Sequence, residues 1–310
     1  MGKDYYVIDC HCHLYRSELQ GWQGRAIYDR FDRGGTLEQL VRYMDELGID
    51  QCWVINAWPT VGLIQAGEAK LPKDLKGQAL EEARAKVREE VAAKMNRAND
   101  WLCSTAQTAP GRVVPLPALD PFMGAEWTVK DLEDKYQKGA RGVKMISTWG
   151  EFYPNDRRLW PTYARMQELG MVVLSHSGGS NTLFEVKGTD YAQPKYWNEV
   201  LETFPRLNVV LAHMGFHWMT GYGTQEQKER IEMVRRFPNI YFDLSQNNEY
   251  GFHQFEVDMI REIGVDRCVW ASDWHAHKSA ISLEGLKMST LSEIEKRKIL
   301  GETARRLVSA

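Results

Sequence analysis

Leu159-Trp-Pro-Thr-Tyr-Ala-Arg-Met-Gln-Glu-Leu-Gly170-Met-Val-Val-Leu-Ser-His176 contains one complete unit of the fold. Residues 159–169 carry the apolar spacing of an amphipathic helix. Gly170 ends it, because glycine enters the left-handed cap conformation without a Cβ clash. Residues 171–175 are short and apolar at successive positions, as a strand buried on both faces should be. His176 then stands where the strand stops. The same order recurs in both directions. Further strands are predicted at 5–10, 51–56, 113–119, 142–146, 208–212, 240–244 and 268–271. Helices are predicted at 37–47, 129–138, 197–204, 225–237 and 255–263, with Gly48, Gly139 and Gly264 in the role of Gly170. Eight strands alternating with helices predict a closed parallel (β/α)8 TIM barrel.

Two stretches depart from the repeat. Residues 57–110 form a long insertion after the second strand, with one extended helix over 80–106, placed at the barrel mouth as a lid region. At the other end, Ser292 and Glu295 have capping-box spacing ahead of a final helix over 294–308. No internal repeat or Pro/Gly-rich linker is present, so the chain, 1–310, reads as a single domain, a distorted barrel with a helical insertion.

Composition fits this reading. The 310 residues include 39 basic and 42 acidic side chains, a net charge of -3, with 43% hydrophobic residues. The balance predicts no nucleic-acid or membrane partner. No uncharged apolar window is long enough to span a bilayer, and the N-terminal apolar run is too short for a signal peptide. Five scattered cysteines suit reduced thiols and a cytoplasmic location. Homodimerisation is expected on general grounds for an enzyme of this size.

The chemistry gathers at strand ends. In Asp9-Cys10-His11-Cys12-His13, strand alternation aims both imidazoles one way and both thiols the other, toward the helices. His176, His213 and Asp273 each stand just past a later strand, the positions from which barrel active sites are built. Neutral imidazoles plus a carboxylate suit one divalent ion, zinc first, with manganese or iron as alternatives. Such an ion would lower the pKa of a bound water. Asp273 could then accept a proton, and His213 serve as an acid/base group or a fourth nitrogen ligand. Lys144, at the end of the fourth strand, is a candidate for holding a substrate carboxylate; a carbamylated bridging lysine and a packed stem are the alternatives. Trp149, His217 and Trp274 are candidate substrate-binding residues, with Trp218, Asn247, Glu249, His253, His275 and His277 also near the mouth; for each tryptophan, core or lid packing is the alternative. Arg25, Arg30 and Arg33 could grip a carboxylate, and Asp243 could orient a ligand histidine.

Taken in order, these motifs resemble the amidohydrolase-related family of the amidohydrolase superfamily. They run from Asp9-Cys-His11-Cys-His13 through Asn99-Asp100-Trp101, Gly142-Val-Lys144 and Leu174-Ser-His176. They continue with Phe204-Pro-Arg-Leu-Asn-Val-Val-Leu-Ala-His213-Met-Gly, Tyr241-Phe-Asp-Leu-Ser245 and Ala271-Ser-Asp273-Trp, then Ile299-Leu-Gly-Glu-Thr-Ala-Arg-Arg-Leu307. The resemblance implies a distorted barrel and a divalent metal. It further implies His11, His13, His176 and Asp273 as ligands, with His213 as base or proton shuttle. Departures fall at His275, at Phe216-His217 and at Thr303-Ala304, where family members often carry other residues.

The resulting expectation is a metal-dependent hydrolase acting on an amide, ester or lactone of a small organic acid. The alternative is a metal-dependent decarboxylase of an aromatic or muconate-like carboxylate, of the aminocarboxymuconate-semialdehyde decarboxylase kind.

Overall fold

The computed structural model describes residues 5–24, 34–177, 189–215, 225–245, 252–275 and 279–309. Eight parallel strands are present: β1 (Ile8–His13), β2 (Gln51–Ile55), β3 (Val113–Leu116), β4 (Gly142–Met145), β5 (Val172–Ser175), β6 (Asn208–Leu211), β7 (Ile240–Asp243) and β8 (Cys268–Val269). Strands β1 to β3 pair in order, as do β4 to β8. Two isolated parallel bridges, Ala118 with Lys144 and Cys12 with Trp274, join the two sheets. Main-chain bonds reinforce both seams: Leu119 N donates to Lys144 O at 2.8 Å and His13 N to Trp274 O at 2.7 Å. The described strands therefore close into a barrel, and closure leaves none of them with a free edge.

The first helices are α1 (Glu18–Gly24), α2 (Leu37–Leu47), α3 (Thr60–Glu68), α4 (Gly77–Thr108) and α5 (Ala125–Gln137). A one-turn helix α6 (Ser147–Gly150) precedes α7 (Trp160–Leu169), α8 (Trp197–Thr203), α9 (Gln225–Arg236) and α10 (Gln254–Ile263). The chain closes with α11 (Ser279–Met288), α12 (Glu293–Arg297) and α13 (Thr303–Val308). The insertion after β2 thus holds two helices. Helix α3 lacks an amphipathic stripe in sequence and was not expected. The predicted final helix is broken into α12, a π-turn over 298–302 and α13, with the Ser292–Glu295 capping box in place. Gly170 caps α7 at φ 66° and Gly48 caps α2 at φ 68°. Among the described residues no helix is long and apolar enough to cross a membrane.

The core has two layers. Inside the barrel pack strand residues such as Ile8, Trp53, Leu116, Leu174 and Val269, with Ala304 and Leu307 of α13. Outside, the opposite strand faces meet the helices, as Cys12, Val54 and Trp270 do. Cys10 was expected on the helix side, and it packs inside. The cause is a β-bulge: Asp9 pairs with Cys52 but Cys12 with Val54, so β1 carries one extra residue between them. A bulge switches side-chain parity. Ile8 and Cys10 therefore face inward below it, while above it Cys12 faces the helices.

Candidate active site

His11 and His13 end β1, and the bulge lets both reach the barrel mouth above Cys10. Asp273 follows β8 and closes on them: its Oδ1 lies 3.0 Å from His13 Nε2 and 3.5 Å from His11 Nε2. The ligating atoms of His11, His13 and Asp273 all fall within 4.8 Å of one another. His176 follows β5, and its Nδ1 is 3.3 Å from His213 Nε2, just past β6. The His11 and His213 rings stack with centroids 5.3 Å apart. The far-separated residues 11, 13, 176, 213 and 273 thus meet at one rim.

Two of them sit on strained backbone. His213 has φ 56° and Asp273 φ 57°, left-handed values that cost a non-glycine residue about 1–2 kcal/mol. Two buried carboxylates hold these turns. Asp243 Oδ1 accepts from His213 N at 2.8 Å. Asp9 accepts from Ser272 N at 2.9 Å, from the Ser272 hydroxyl, from Tyr43 Oη at 2.9 Å and from His11 N at 3.3 Å. Ser272 Oγ in turn accepts from Trp274 N at 2.9 Å, so Asp273 is clamped on both sides.

The electrostatics follow from burial. Asp243 is fully buried, which pushes its pKa up. His11, His213 and the Ser245 hydroxyl outweigh that and hold it well below the usual carboxylate range. His213 is lowered to about 3, first by burial, with the nearby His11 and Lys144 adding to it, against the pull of Asp243 and Asp273. Burial, with His213 and Lys144 beside it, also keeps His176 well below its ordinary value. Neutral imidazoles are the form that ligates metals. Lys144 rises from β4 in register with Leu174, and its Nζ sits 3.1 Å from His11 Nε2. Burial lowers it to about 8.

The donor set fits a divalent ion. Asp243 Oδ2 accepts from His11 Nδ1 at 2.9 Å, which leaves the His11 Nε2 lone pair aimed into the site. His176 Nε2 is buried with no hydrogen-bond partner among the described residues, as a nitrogen reserved for a metal would be. Two other carboxylate clusters do not fit. In the group of His11, His213 and Asp243 the carboxylate is spent on orienting its neighbours. In the group of Asp9, Cys12 and Cys52 the carboxylate is likewise spent, and burial pushes both thiols up.

Other expectations are corrected or fall elsewhere. Trp274 was a candidate for touching substrate, with core packing as the alternative, and core packing is what it does. Its side chain is fully buried in the outer layer and stacks on Tyr43 of α2 at 5.5 Å. Trp274 pairs across the barrel seam with Cys12, which also faces the helices, and paired residues share a side of the sheet. Trp149 is half-buried on α6. His253 caps α10 and stacks on Phe255, and His275 is buried against Tyr15. Arg25, Arg30, Arg33, His217, Trp218, Asn247, Glu249 and His277 lie outside the described residues. Sequence reasoning gave no role to Ser245, Ser272 or Tyr43. A signal existed for Ser245, which is two residues past Asp243 and so on the same face.

A barrel with such a rim defines a metal-dependent enzyme class, and comparison with known proteins names it. The sequence model of the Amidohydrolase family matches residues 8–309. The chain belongs to that family and is an enzyme of the amidohydrolase superfamily. Gamma-resorcylate decarboxylase of Rhizobium radiobacter is 28% identical over 118 residues, covering 35% of this chain and 36% of the relative. The enzyme of the same name from a Rhizobium species is 24% identical over 248 residues, covering 68% and 74%. Among solved structures, 2,6-dihydroxybenzoate decarboxylase from Rhizobium superposes with a TM-score of 0.66 at 18% identity, covering 98% of this chain and 99% of its own. A dihydroxybenzoic acid decarboxylase from Polaromonas, solved with manganese and 2-nitroresorcinol, gives 0.65 at 18%, covering 98% and 97%. At that identity the likeness shows the fold. These names overturn the expectation of amide, ester or lactone hydrolysis: the relatives are decarboxylases, the reading held as the alternative.

Proposed function

We propose that this enzyme removes CO₂ from a small hydroxylated aromatic carboxylate without oxidation. The observation that carries the reading is Lys144: a buried cation beside His11, with no carboxylate hydrogen-bonded to it among the described residues, in a chain whose relatives decarboxylate dihydroxybenzoates. Asp243 and Asp273 act on Lys144 only through space, and a substrate carboxylate would supply a hydrogen-bonded counter-charge.

His11, His13, His176 and Asp273 would hold one divalent ion. Manganese is the first choice because relatives were solved with it, and the nitrogen and oxygen donors also suit zinc. Bound there, such an ion supplies Lewis-acid polarisation of substrate oxygens. The chain's own groups do the rest. Lys144 orients the carboxylate. His213 and Asp273, both buried, are the proton carriers. One proton is added at the ring carbon bearing the carboxylate, the carbon–carboxylate bond breaks, and its electron pair returns to the ring as CO₂ leaves. No water is consumed.

The test is a panel of mono- and dihydroxybenzoates offered to manganese-loaded and chelator-treated protein, with CO₂ measured against substrate loss. The reading predicts one CO₂ per substrate consumed, dependent on metal. Substrate loss without CO₂ would defeat it.

A further inference from the structure

The hydrogen-bond chain behind the rim assigns a role to a residue the sequence reading passed over. Ser245 Oγ lies 2.5 Å from Asp243 Oδ1, and Ser245 N donates to the same oxygen at 3.1 Å. His213 Nδ1 lies 2.8 Å from Ser245 Oγ. An ionised carboxylate only accepts, and a hydroxyl has one proton to give. That proton is spent on Asp243. The serine oxygen can therefore only accept from His213, so Nδ1 must carry a proton. The free nitrogen of His213 is then Nε2, which faces His176 Nδ1 at 3.3 Å. With that lone pair as acceptor, His176 donates from Nδ1 and keeps its own buried Nε2 lone pair for the site. Asp243 meanwhile fixes His11 by the same logic through its other oxygen.

We propose that Ser245 is a positioning residue: with Asp243 it locks the proton of His213 on Nδ1, so that Nε2 is the nitrogen through which His213 exchanges protons with the reacting groups. Ser245 touches no reacting atom and acts through His213. The kinetic part rests on the decarboxylase reading; the placement of the proton does not.

The experiment uses full-length protein with ¹⁵N-labelled histidine, loaded with diamagnetic zinc, and long-range ¹H–¹⁵N correlation of the rings. His213 is assigned by the signals missing from His213→Asn. The wild type should show a protonated Nδ1 and an unprotonated Nε2 for His213. Ser245→Ala should move the proton to Nε2 in part or in full, and Ser245→Thr, which keeps the hydroxyl, should restore it. With 2,6-dihydroxybenzoate as probe and manganese bound, Ser245→Ala should lower kcat by about 10–100-fold with KM and metal content retained, in line with other outer-shell changes. A wild-type spectrum with the proton on Nε2 would overturn the proposal, even if Ser245→Ala failed to fold. So would a Ser245→Ala spectrum identical to wild type. Because the spectra need no turnover, they stand whether or not the probe is decarboxylated.

Discussion

Asp243→Asn separates orientation of the ligands from folding of the barrel. Among the described residues, Asp243 Oδ1 receives three donors, His213 N, Ser245 N and Ser245 Oγ, while Oδ2 receives only His11 Nδ1. An asparagine oxygen can take over the three-donor side. Its amide then faces His11, and two N–H groups would oppose each other. The imidazole escapes by switching its proton to Nε2, the nitrogen that points toward Lys144 and Asp273. Metal binding must then undo that switch. Loss of an outer-shell partner costs about 10–100-fold in metal affinity, or about 1.4–2.7 kcal/mol. Replacing charge-assisted by neutral hydrogen bonds costs the metal-free fold about 1–2 kcal/mol. Asp243→Ala differs: it strands several buried donors at about 1–3 kcal/mol each, and should cost the fold more than 3 kcal/mol. Urea unfolding of the metal-free proteins and competition with a chromophoric chelator measure the two quantities. Wild-type metal affinity in Asp243→Asn would refute the orienting role.

Three further outcomes follow from particular groups. Asp120 is buried, which raises its pKa to about 6 against the bonds from Thr60 and Phe122 N. Its folded value exceeds the unfolded one, so its contribution is full below about pH 3 and is lost as pH rises through about 6. The full loss is about 3 kcal/mol, and Asp120→Asn should gain about 2 kcal/mol of stability relative to wild type between pH 4 and 7 in urea unfolding. An equal difference at both pH values would contradict it. Chelation should lower the melting temperature reversibly, because metal at a hundredfold excess over its Kd adds about 2.7 kcal/mol to the native state; His176→Ala should lose most of that response in calorimetry. Lys144→Met keeps the stem and removes the cation. It should raise KM for a hydroxybenzoate by about 10–100-fold, the worth of a charged hydrogen bond, with metal content unchanged.

Much of this architecture was legible because strand burial and glycine caps are written locally. Helix α2 spans the predicted 37–47, and α7 ends at Gly170 as read. Meeting of His11, His13, His176, His213 and Asp273 could be inferred because a parallel barrel brings all strand ends to one face. What failed depended on pairing, which a single sequence does not display. The bulge in β1 appears only in its register with β2, and it reverses Cys10. Trp274 was a candidate for the mouth because it follows a strand end, a position that does not say which way the side chain turns, and it packs in the outer layer. Ser245 escaped notice because its importance lies in a proton count around Asp243 and His213, not in its own residue type. The choice of reaction was not legible either: hydrolysis and decarboxylation use the same rim, and the relatives decided between them.

Mass spectrometry of the aromatic product formed from 2,6-dihydroxybenzoate by manganese-loaded protein in D₂O tells decarboxylation from every other outcome at this rim. A decarboxylase yields a product lighter by the carboxyl group, carrying one carbon-bound deuterium at the vacated ring position, and forms none after metal removal. Unchanged substrate across the whole hydroxybenzoate panel, or a product that retains its carboxylate, would contradict decarboxylation.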